Sequence, residues 1–271
     1  MNKAYIILII FSIYFCIFIV SYNLILSYNN YKDINSIQVN KNNCAYRLGD
    51  MILHKFHRNK NLGKLCHLTI YPNSIASEYL KKTNKSNDIN VLYDIVKKRS
   101  NLINLPNNNE LIIHIRIGDV IDKRNISVDE FLYNYYYDTN YFFYKLNYVK
   151  PYSFYKKIID KLSKNINKVI FVGGYHYKQD RTKSKEYISK LQKFFNSYGF
   201  DTSTRINNDP DEDFIYMSNA AYFVQSGGGF SQLIGNIVKK NKNIVYYDTQ
   251  NKLNIPFITL FMLILIFIPI Y

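Results

Sequence analysis

Apolar residues along this chain are concentrated in two uncharged blocks near its ends and in short runs between them. The first block, Ala4–Leu26, is 23 residues long, with Asn23 as its strongly polar member. An apolar helix needs about 20 residues to cross a bilayer, whereas a cleaved signal peptide has an apolar core of about 7–15 residues followed by small residues. The pattern predicts a retained transmembrane signal-anchor over residues 1–27.

The second block is the hydrophobic tail, residues 253–271. Its last 17 residues are uncharged, and Pro256 and Pro269 lie near their two ends. This length is slightly short for a helical span. A second membrane span, an interfacial segment and a buried terminal helix all fit the pattern, and we favour the span.

Between the blocks, a polar stalk is followed by alternating strands and helices. Residues 28–43 lack apolar periodicity and are predicted to be the stalk. Leu111–Ile115 and Val169–Val172 are short β-branched runs, which are typical of buried strands. Apolar residues recur at helical spacing over Lys183–Asn196, and Gly199 follows as a stop signal.

The same alternation continues toward the C-terminus. Asp209 is a suitable N-cap and Pro210 a suitable first residue for the next helix. The predicted elements are a helix over Asp211–Asn219, a strand over Ala221–Gln225, a helix over Gln232–Lys240 and a strand over Ile244–Tyr247. Strands alternating with helices predict parallel βαβ units, and therefore an α/β fold.

The net charge indicates the kind of partner, and the cysteines bear on a disulfide. The chain has 35 Lys+Arg against 20 Asp+Glu, a formal net charge of +15, which favours anionic partners. The longest basic run is Lys97–Arg99, so the charge is diffuse and argues against a nucleic-acid arm. Cys44 and Cys66 could pair if the domain is lumenal, but their spacing does not establish a disulfide.

A glycine-rich turn between a predicted strand and a predicted helix is the first candidate site. Its sequence is Ser226-Gly227-Gly228-Gly229-Phe230-Ser231. Such a turn presents backbone N–H groups and the positive end of a helix dipole, which suit a phosphate. Glycine also allows close backbone approach, and Ser226 and Ser231 can donate hydroxyl groups. A plain connector is the alternative interpretation.

The second candidate site is His114-Ile115-Arg116-Ile117-Gly118-Asp119, at the carboxyl end of a predicted strand. Ligands of α/β sheets bind at that end. Strand alternation places His114 and Arg116 on one face, and an arginine fork suits a diphosphate. A structural ion pair between Arg116 and Asp119 is the alternative.

Together, the His-x-Arg motif and the later Ser-Gly-Gly-Gly-Phe-Ser turn resemble the fucosyltransferase superfamily, particularly the α-1,2-fucosyltransferases. The resemblance covers residues 44–248, and Arg47-Leu48-Gly49-Asp50 is weakly similar to the family's N-terminal Gly-Leu-Gly-Asn segment. It implies two Rossmann-like (GT-B-like) halves, here 44–165 as the N-terminal half and 166–252 as the nucleotide-sugar-binding half.

The resemblance also implies roles for individual residues. Arg116 would hold the β-phosphate of a GDP-sugar, with His114 and Asp119 shaping the site and supplying the candidate bases. The donor phosphate would be cradled by Ser226, Gly227, Gly228, Gly229 and Ser231. The implied reaction inverts the sugar's anomeric carbon without a metal or resident cofactor. Ile117 stands where the family usually has a second arginine.

Three smaller features complete the set of candidates. Asp209-Pro210-Asp211 has the Asp-x-Asp spacing of metal-dependent glycosyltransferases, but acids also suit a helix N-terminus, and we predict no metal site. The sequons at Asn84 and Asn125 are candidate N-glycosylation sites, Asn84 being the better acceptor. The many tyrosines could stack on sugar rings or simply fill the core and surface.

The sequence thus predicts a membrane-anchored glycosyltransferase that moves fucose from GDP-fucose to a glycan hydroxyl. Its partners would be the nucleotide-sugar donor, a glycan acceptor and membrane lipid, without nucleic acid. The domain would be lumenal, in an endoplasmic reticulum- or Golgi-like compartment, or on a host membrane, with one or two membrane passes. The alternatives are a catalytically inactive sugar-binding membrane protein, which Ile117 favours, and a structural membrane protein with a basic domain.

Overall fold

The structure is a computed structural model of the chain. It describes residues 44, 48–53, 60–134, 148–175 and 181–248, together with the isolated positions 14, 17, 18 and 21. These four positions are helical, and Tyr14, Ile17 and Phe18 are exposed. The rest of the predicted anchor, the stalk and the hydrophobic tail lie outside the described residues. Within the described part of the chain, no helix combines the length and apolar character needed to cross a membrane.

The chain forms two compact units, and the first extends from Met1 to Asn87. Its described helices are α1 (Leu48–Leu53), α2 (Lys60–Thr69) and α3 (Ile75–Lys82). The Ser74 hydroxyl caps α3 by accepting from the Ser77 N–H. Cys44 and Cys66 are joined by a disulfide that connects the segment before α1 to α2. The pairing that the spacing left open is therefore present in the structure.

The second unit extends from Asp88 to Tyr271 and contains a parallel sheet with helices between its strands. Its strands are β1 (Glu110–His114), β2 (Lys168–Gly173), β3 (Asp201–Ile206), β4 (Tyr222–Val224) and β5 (Ile244–Tyr246). Its helices are α4 (Ile89–Ser100), α5 (Asp119–Asp122), α6 (Val128–Tyr133), α7 (Tyr152–Ile159), α8 (Thr182–Ser197), α9 (Pro210–Ser218) and α10 (Gly229–Lys240). The spatial order of the strands is β3-β2-β1-β4-β5.

The central strand β1 is apolar on both faces because helices cover both sides of the sheet. Leu111 and Ile113 are fully buried in a cluster with residues of α6, α7 and α8. Ile112 points to the opposite face by strand alternation and is also fully buried. On that face α4, α9 and α10 contact one another. A continuous apolar run is the expected sequence of a strand buried in this way.

Two of the differences between the sequence prediction and the structure concern the sheet. Strand β3 was not predicted, because Asp201-Thr202-Ser203-Thr204-Arg205 is polar and half-exposed at the sheet edge. The predicted division into halves at residues 165 and 166 separates β1 from β2, yet these strands pair along their length from Glu110 with Lys168 to His114 with Val172. The described residues therefore place both sides of that division in one sheet, and the boundary of the two compact units falls between Asn87 and Asp88.

Candidate functional site

The two candidate motifs meet at the carboxyl edge of the sheet. Strand β1 pairs with β2 on one side and with β4 on the other, so the crossover connections leave it in opposite directions. Such a topological switch point opens a crevice at the carboxyl ends of the strands, where α/β proteins bind ligands. His114 ends β1, and Ser226 follows the last residue of β4 by two positions.

A hydrogen bond joins the two motifs directly. Ser226 Oγ lies 2.7 Å from His114 Nδ1, although 112 positions separate the residues in sequence. The Ser226 N–H in turn donates to Ser231 Oγ at 3.0 Å, which closes the turn on itself. The Phe230 ring lies 5.6 Å from the His114 ring, centroid to centroid. Three residues of the glycine-rich turn therefore take part in fixing its conformation, and two of them contact or bond His114.

Gly228 gives the turn its shape. It has φ +89° and ψ 166°, a conformation that is essentially restricted to glycine, and it is the N-cap of α10. Helix α10 begins at Gly229, three residues before the predicted start. Gly227 and Gly228 therefore form the connection into the helix, and Gly229 belongs to its first turn. Since α10 has 12 residues, its dipole adds to the N–H groups at this end.

Arg116 lies between an acid and an aromatic ring. Its Nη2 is 3.1 Å from Asp119 Oδ1, and its Cζ is 5.9 Å from the centroid of the Tyr148 ring. The Arg116 side chain is 24% exposed and that of Asp119 is 32% exposed, whereas the Asp119 Oδ1 atom that faces Arg116 is buried. A Cβ on Gly228 would lie 3.4 Å from the same Tyr148 ring. Tyr148 therefore lies close to both motifs.

Burial along the segment after β1 follows the alternation expected from sequence. Ile113, Ile115 and Ile117 are buried, whereas His114 and Arg116 are half-exposed. Ile117 is fully buried, so at that position the chain places an apolar side chain in the core rather than a charge in the crevice. Arg116 is then the arginine that this motif offers to a ligand.

The acidic residues at the start of α9 have structural partners within the protein. Asp209 Oδ1 accepts from the N–H groups of Asp211 and Glu212, which confirms the predicted N-cap. Asp211 lies 3.6 Å from Arg99. Asp213 pairs with Arg205 at 2.5 Å, and burial raises the pKa of the Asp213 carboxyl although Arg205 opposes the shift. Among the described residues, His, Cys, Asp and Glu form no group of three suited to a metal ion.

The remaining candidates are placed as follows. Asn84 lies in the bend after α3, Asn125 lies in the loop before α6, and both side chains are exposed. The Ser127 hydroxyl of the second sequon forms a capping box with Glu130. Leu48 and Gly49 lie in α1, whereas Arg47 is outside the described residues.

Sequence reasoning missed three residues that the fold brings to the site. Tyr148 lies close to Arg116 and Gly228. Ser184, at the start of α8, accepts a hydrogen bond from the Gly118 N–H at 2.9 Å. Its hydroxyl also donates to Asp122 at 2.6 Å. No motif marks these residues, because each acquires its neighbours through the packing of segments that are distant in sequence.

Comparison with known proteins gives a distant similarity of fold. No family model matches the chain, and no curated protein matches its sequence. Among solved structures, the chain is similar to POFUT1 in its apo form, at 13% identity and a TM-score of 0.33. POFUT1 in complex with GDP-fucose gives 13% identity, and POFUT1 in complex with GDP gives 14%, both at a TM-score of 0.33.

These alignments cover 60% of this chain and 47%, 46% and 48% of the three POFUT1 chains. The matched region is thus just under half the length of POFUT1. At this identity and TM-score no residue role is transferred from POFUT1.

Proposed function

We propose that this protein is a glycosyltransferase that binds the diphosphate of a nucleotide-sugar donor, GDP-fucose in particular, at the carboxyl edge of its sheet. The sugar would be transferred to a hydroxyl group of a glycan acceptor with inversion. The proposal rests on one observation above all. The 2.7 Å contact between His114 and Ser226 joins an arginine-containing strand end to a glycine-rich helix start at the switch point of a parallel sheet.

The two motifs complement each other chemically. The turn from Ser226 to Gly229 supplies backbone N–H groups and the N-terminus of α10, which suit one phosphate. Arg116 supplies a planar fork of donors that suits a neighbouring phosphate. Asp119 holds the guanidinium from one side while leaving it about a quarter exposed to a ligand.

The same groups suit the chemistry of transfer. As the bond between the anomeric carbon and the β-phosphate oxygen breaks, its electron pair moves onto the diphosphate. The acceptor oxygen bonds to the opposite face of the carbon and loses its proton to a base. Arg116 and the loop N–H groups would stabilise the leaving diphosphate without a metal ion. Asp119 and His114 are the two candidate bases at this edge.

We further propose that the protein is membrane-anchored through residues 1–27, with its domain in a lumenal compartment. The uncharged 23-residue block at the N-terminus supports the anchor. The disulfide between Cys44 and Cys66 supports the compartment, because disulfides form and persist in oxidising environments such as the endoplasmic reticulum lumen.

The Arg116→Lys variant tests the proposed function. Its affinity for GDP-fucose and GDP, measured by titration of the full chain, and its turnover are compared with those of the wild type. Lysine keeps the charge but cannot form the two parallel hydrogen bonds of the guanidinium. We expect GDP affinity to fall at least about tenfold and turnover by on the order of 10²–10³. The melting temperature should change little, because a partly exposed ion pair contributes roughly 0–1 kcal/mol.

Arg205→Lys is the matched control. Arg205 is also paired with acids and is 26% exposed, but its partners Glu212 and Asp213 belong to α9. This variant should keep wild-type affinity for GDP. Wild-type affinity in Arg116→Lys would contradict the proposal. Binding of GDP-fucose without turnover would favour the inactive sugar-binding protein, and absence of binding would favour the structural membrane protein.

A further inference from the structure

The first turn of α8 is hydrogen-bonded to the short turn that follows β1. Ser184 Oγ accepts from the Gly118 N–H at 2.9 Å and donates to Asp122 Oδ2 at 2.6 Å. The Ser184 N–H donates to the other carboxylate oxygen, Asp122 Oδ1, also at 2.9 Å. Ser184 is fully buried. Three hydrogen bonds therefore converge on one residue that lies 66 positions beyond Gly118 in the chain.

The chemistry of the groups fixes the direction of each bond. An ionised carboxylate only accepts hydrogen bonds, so the Ser184 hydroxyl must donate its hydrogen to Asp122. Its lone pairs then face the Gly118 N–H. A hydrogen bond to a charged acceptor is among the stronger types, and it polarises the hydroxyl into a better acceptor. The Asp122 carboxylate thus sets the orientation of the group that holds Gly118.

Gly118 controls where the acid partner of Arg116 lies. Its φ of +81° turns the chain sharply before α5, and its carbonyl accepts from the N–H groups of Ile121 and Asp122. Asp119 is the next residue after this turn, and its carboxylate lies 3.1 Å from Arg116. Any rotation of the Gly118 peptide would therefore displace Asp119 relative to Arg116.

A neighbouring contact shows that α8 holds the segment beyond the turn as well. Lys183 Nζ donates to the carbonyl of Arg124 at 2.6 Å and to that of Ile126 at 3.0 Å. Lys183 and Ser184 are adjacent in α8. The segment from Gly118 to Ile126 is thus fixed to α8 at its beginning and at its end.

We infer that Ser184 and Asp122 are positioning residues for the diphosphate-binding arginine, acting through Gly118 and Asp119. The inference rests on the proposed function and deepens it. Neither residue reaches the crevice through this network, since their bonds run between the turn at Gly118, α5 and the buried Ser184 in the first turn of α8. Their role is to keep the Arg116 guanidinium in one orientation before the donor binds. This reduces the side-chain entropy that is lost on binding.

Ser184→Ala tests the inference, with Ser100→Ala as its matched control. Ser100 is also a buried serine whose hydroxyl makes two hydrogen bonds, to the Val96 carbonyl and from the Asn219 side chain. Both variants should lower the melting temperature, because each removes the hydrogen bonds of a buried hydroxyl. GDP affinity, measured by calorimetric titration of the full chain, should fall on the order of tenfold for Ser184→Ala and stay at the wild-type value for Ser100→Ala.

A double-mutant cycle separates positioning from simple loss of stability. If Ser184 acts through Arg116, the change from Ser184 to Ala should weaken GDP binding in the wild-type background but have no further effect in the Arg116→Ala background. Additive losses, or equal losses in the two serine variants, would overturn the inference and leave the proposed function intact. A wild-type chain that binds no GDP would overturn both.

Asp122→Asn provides a second route if Ser184→Ala does not fold. The amide keeps the shape of the side chain, but its NH₂ group would donate to the Ser184 hydroxyl in place of accepting from it. We expect the same loss of GDP affinity and the same non-additivity with Arg116→Ala. Wild-type affinity in a folded Asp122→Asn variant would contradict the inference.

Discussion

The ion pairs of this protein differ in burial, depending on whether they lie at the crevice or in the core. Arg116 keeps a quarter of its surface exposed while pairing with an acid, which suits a group that must exchange one partner for another. Lys150 and Asp248 form an ion pair 3.4 Å long that is almost completely buried, and burial lowers the pKa of the Lys150 ammonium despite its partner. A partly exposed arginine suits ligand binding, whereas a buried ion pair suits holding two segments of the chain together.

His67 gives a residue-scale prediction about acid stability. It is fully buried in α2, and burial lowers the pKa of its imidazole from 6.5 to about 4. The folded state therefore favours the neutral ring, whereas the unfolded chain takes up a proton near pH 6.5. The associated stability is present above pH 6.5 and is lost as the pH falls toward 4, by at most about 3 kcal/mol.

Thermal unfolding between pH 7 and 4 measures this loss by comparing the wild type with His67→Phe. Phenylalanine keeps a ring near Tyr71, which lies 5.8 Å from the His67 ring, but it does not titrate. The difference in melting temperature between the two proteins should change across this range in favour of the variant. A constant difference would show that His67 is not responsible.

At the scale of elements, the sequence analysis predicted β1, β2 and helices α8 to α10 from local pattern, made no prediction for helices α1 to α7, and missed β3, which depends on pairing. The apolar runs of β1 and β2 and the Asp209 cap of α9 are visible in the sequence because burial and capping select particular residue types. Strand β3 is polar because it lies at the sheet edge, so its sequence resembles a loop.

The candidate site shows the same division. Each motif could be recognised by itself, but their contact depends on the pairing of β4 with β1, a strand that is distant from it in sequence. The Ser184–Asp122 hydrogen bond could not be predicted from the sequence for the same reason, since 62 positions separate the two residues.

The turn before α10 gives an element-scale prediction. At Gly228, alanine would force a side chain into a glycine-only backbone conformation, at a cost of roughly 1–3 kcal/mol. Its Cβ would also meet Tyr148 at 3.4 Å. We expect Gly228→Ala to lower the melting temperature and to weaken GDP binding, because the N–H groups of the turn would shift.

Gly199→Ala is the control for backbone strain alone. Gly199 follows α8 with φ +85°, and a Cβ there meets open space. Titration of both variants with GDP should show a loss for Gly228→Ala and wild-type affinity for Gly199→Ala. Equal affinities would argue that the turn does not contact the donor.

For the whole molecule, a formal net charge of +15 favours anionic ligands, and the proposed donor is one. The disulfide and the uncharged N-terminal block are independent features that both agree with a lumenal domain behind a membrane anchor. Each feature alone is compatible with either side of the membrane for the domain, whereas together they favour the lumenal side.

Protease treatment of intact vesicles tests that topology. We expect residues 28–252 to be protected until detergent is added, and Asn84 to carry a glycan, since its exposed side chain is available to lumenal glycosylation. Asn84→Gln, which removes that sequon, is the mobility control. Digestion of the domain from the outer face of intact vesicles would reverse the orientation.

The pairing of β1 with β4 also has a consequence for the order in which the protein can be made. When β1 leaves the ribosome, the partner for one of its two edges has not been synthesised, since Ser226 follows His114 by 112 positions. At synthesis rates of about 5–20 residues per second, that edge waits roughly 6 to 22 s. During this interval an apolar, unpaired strand edge is open to association with other chains, which makes the nascent chain a natural client for chaperones. The position that places β1 at the centre of the site is thus the one that leaves it longest without a neighbour.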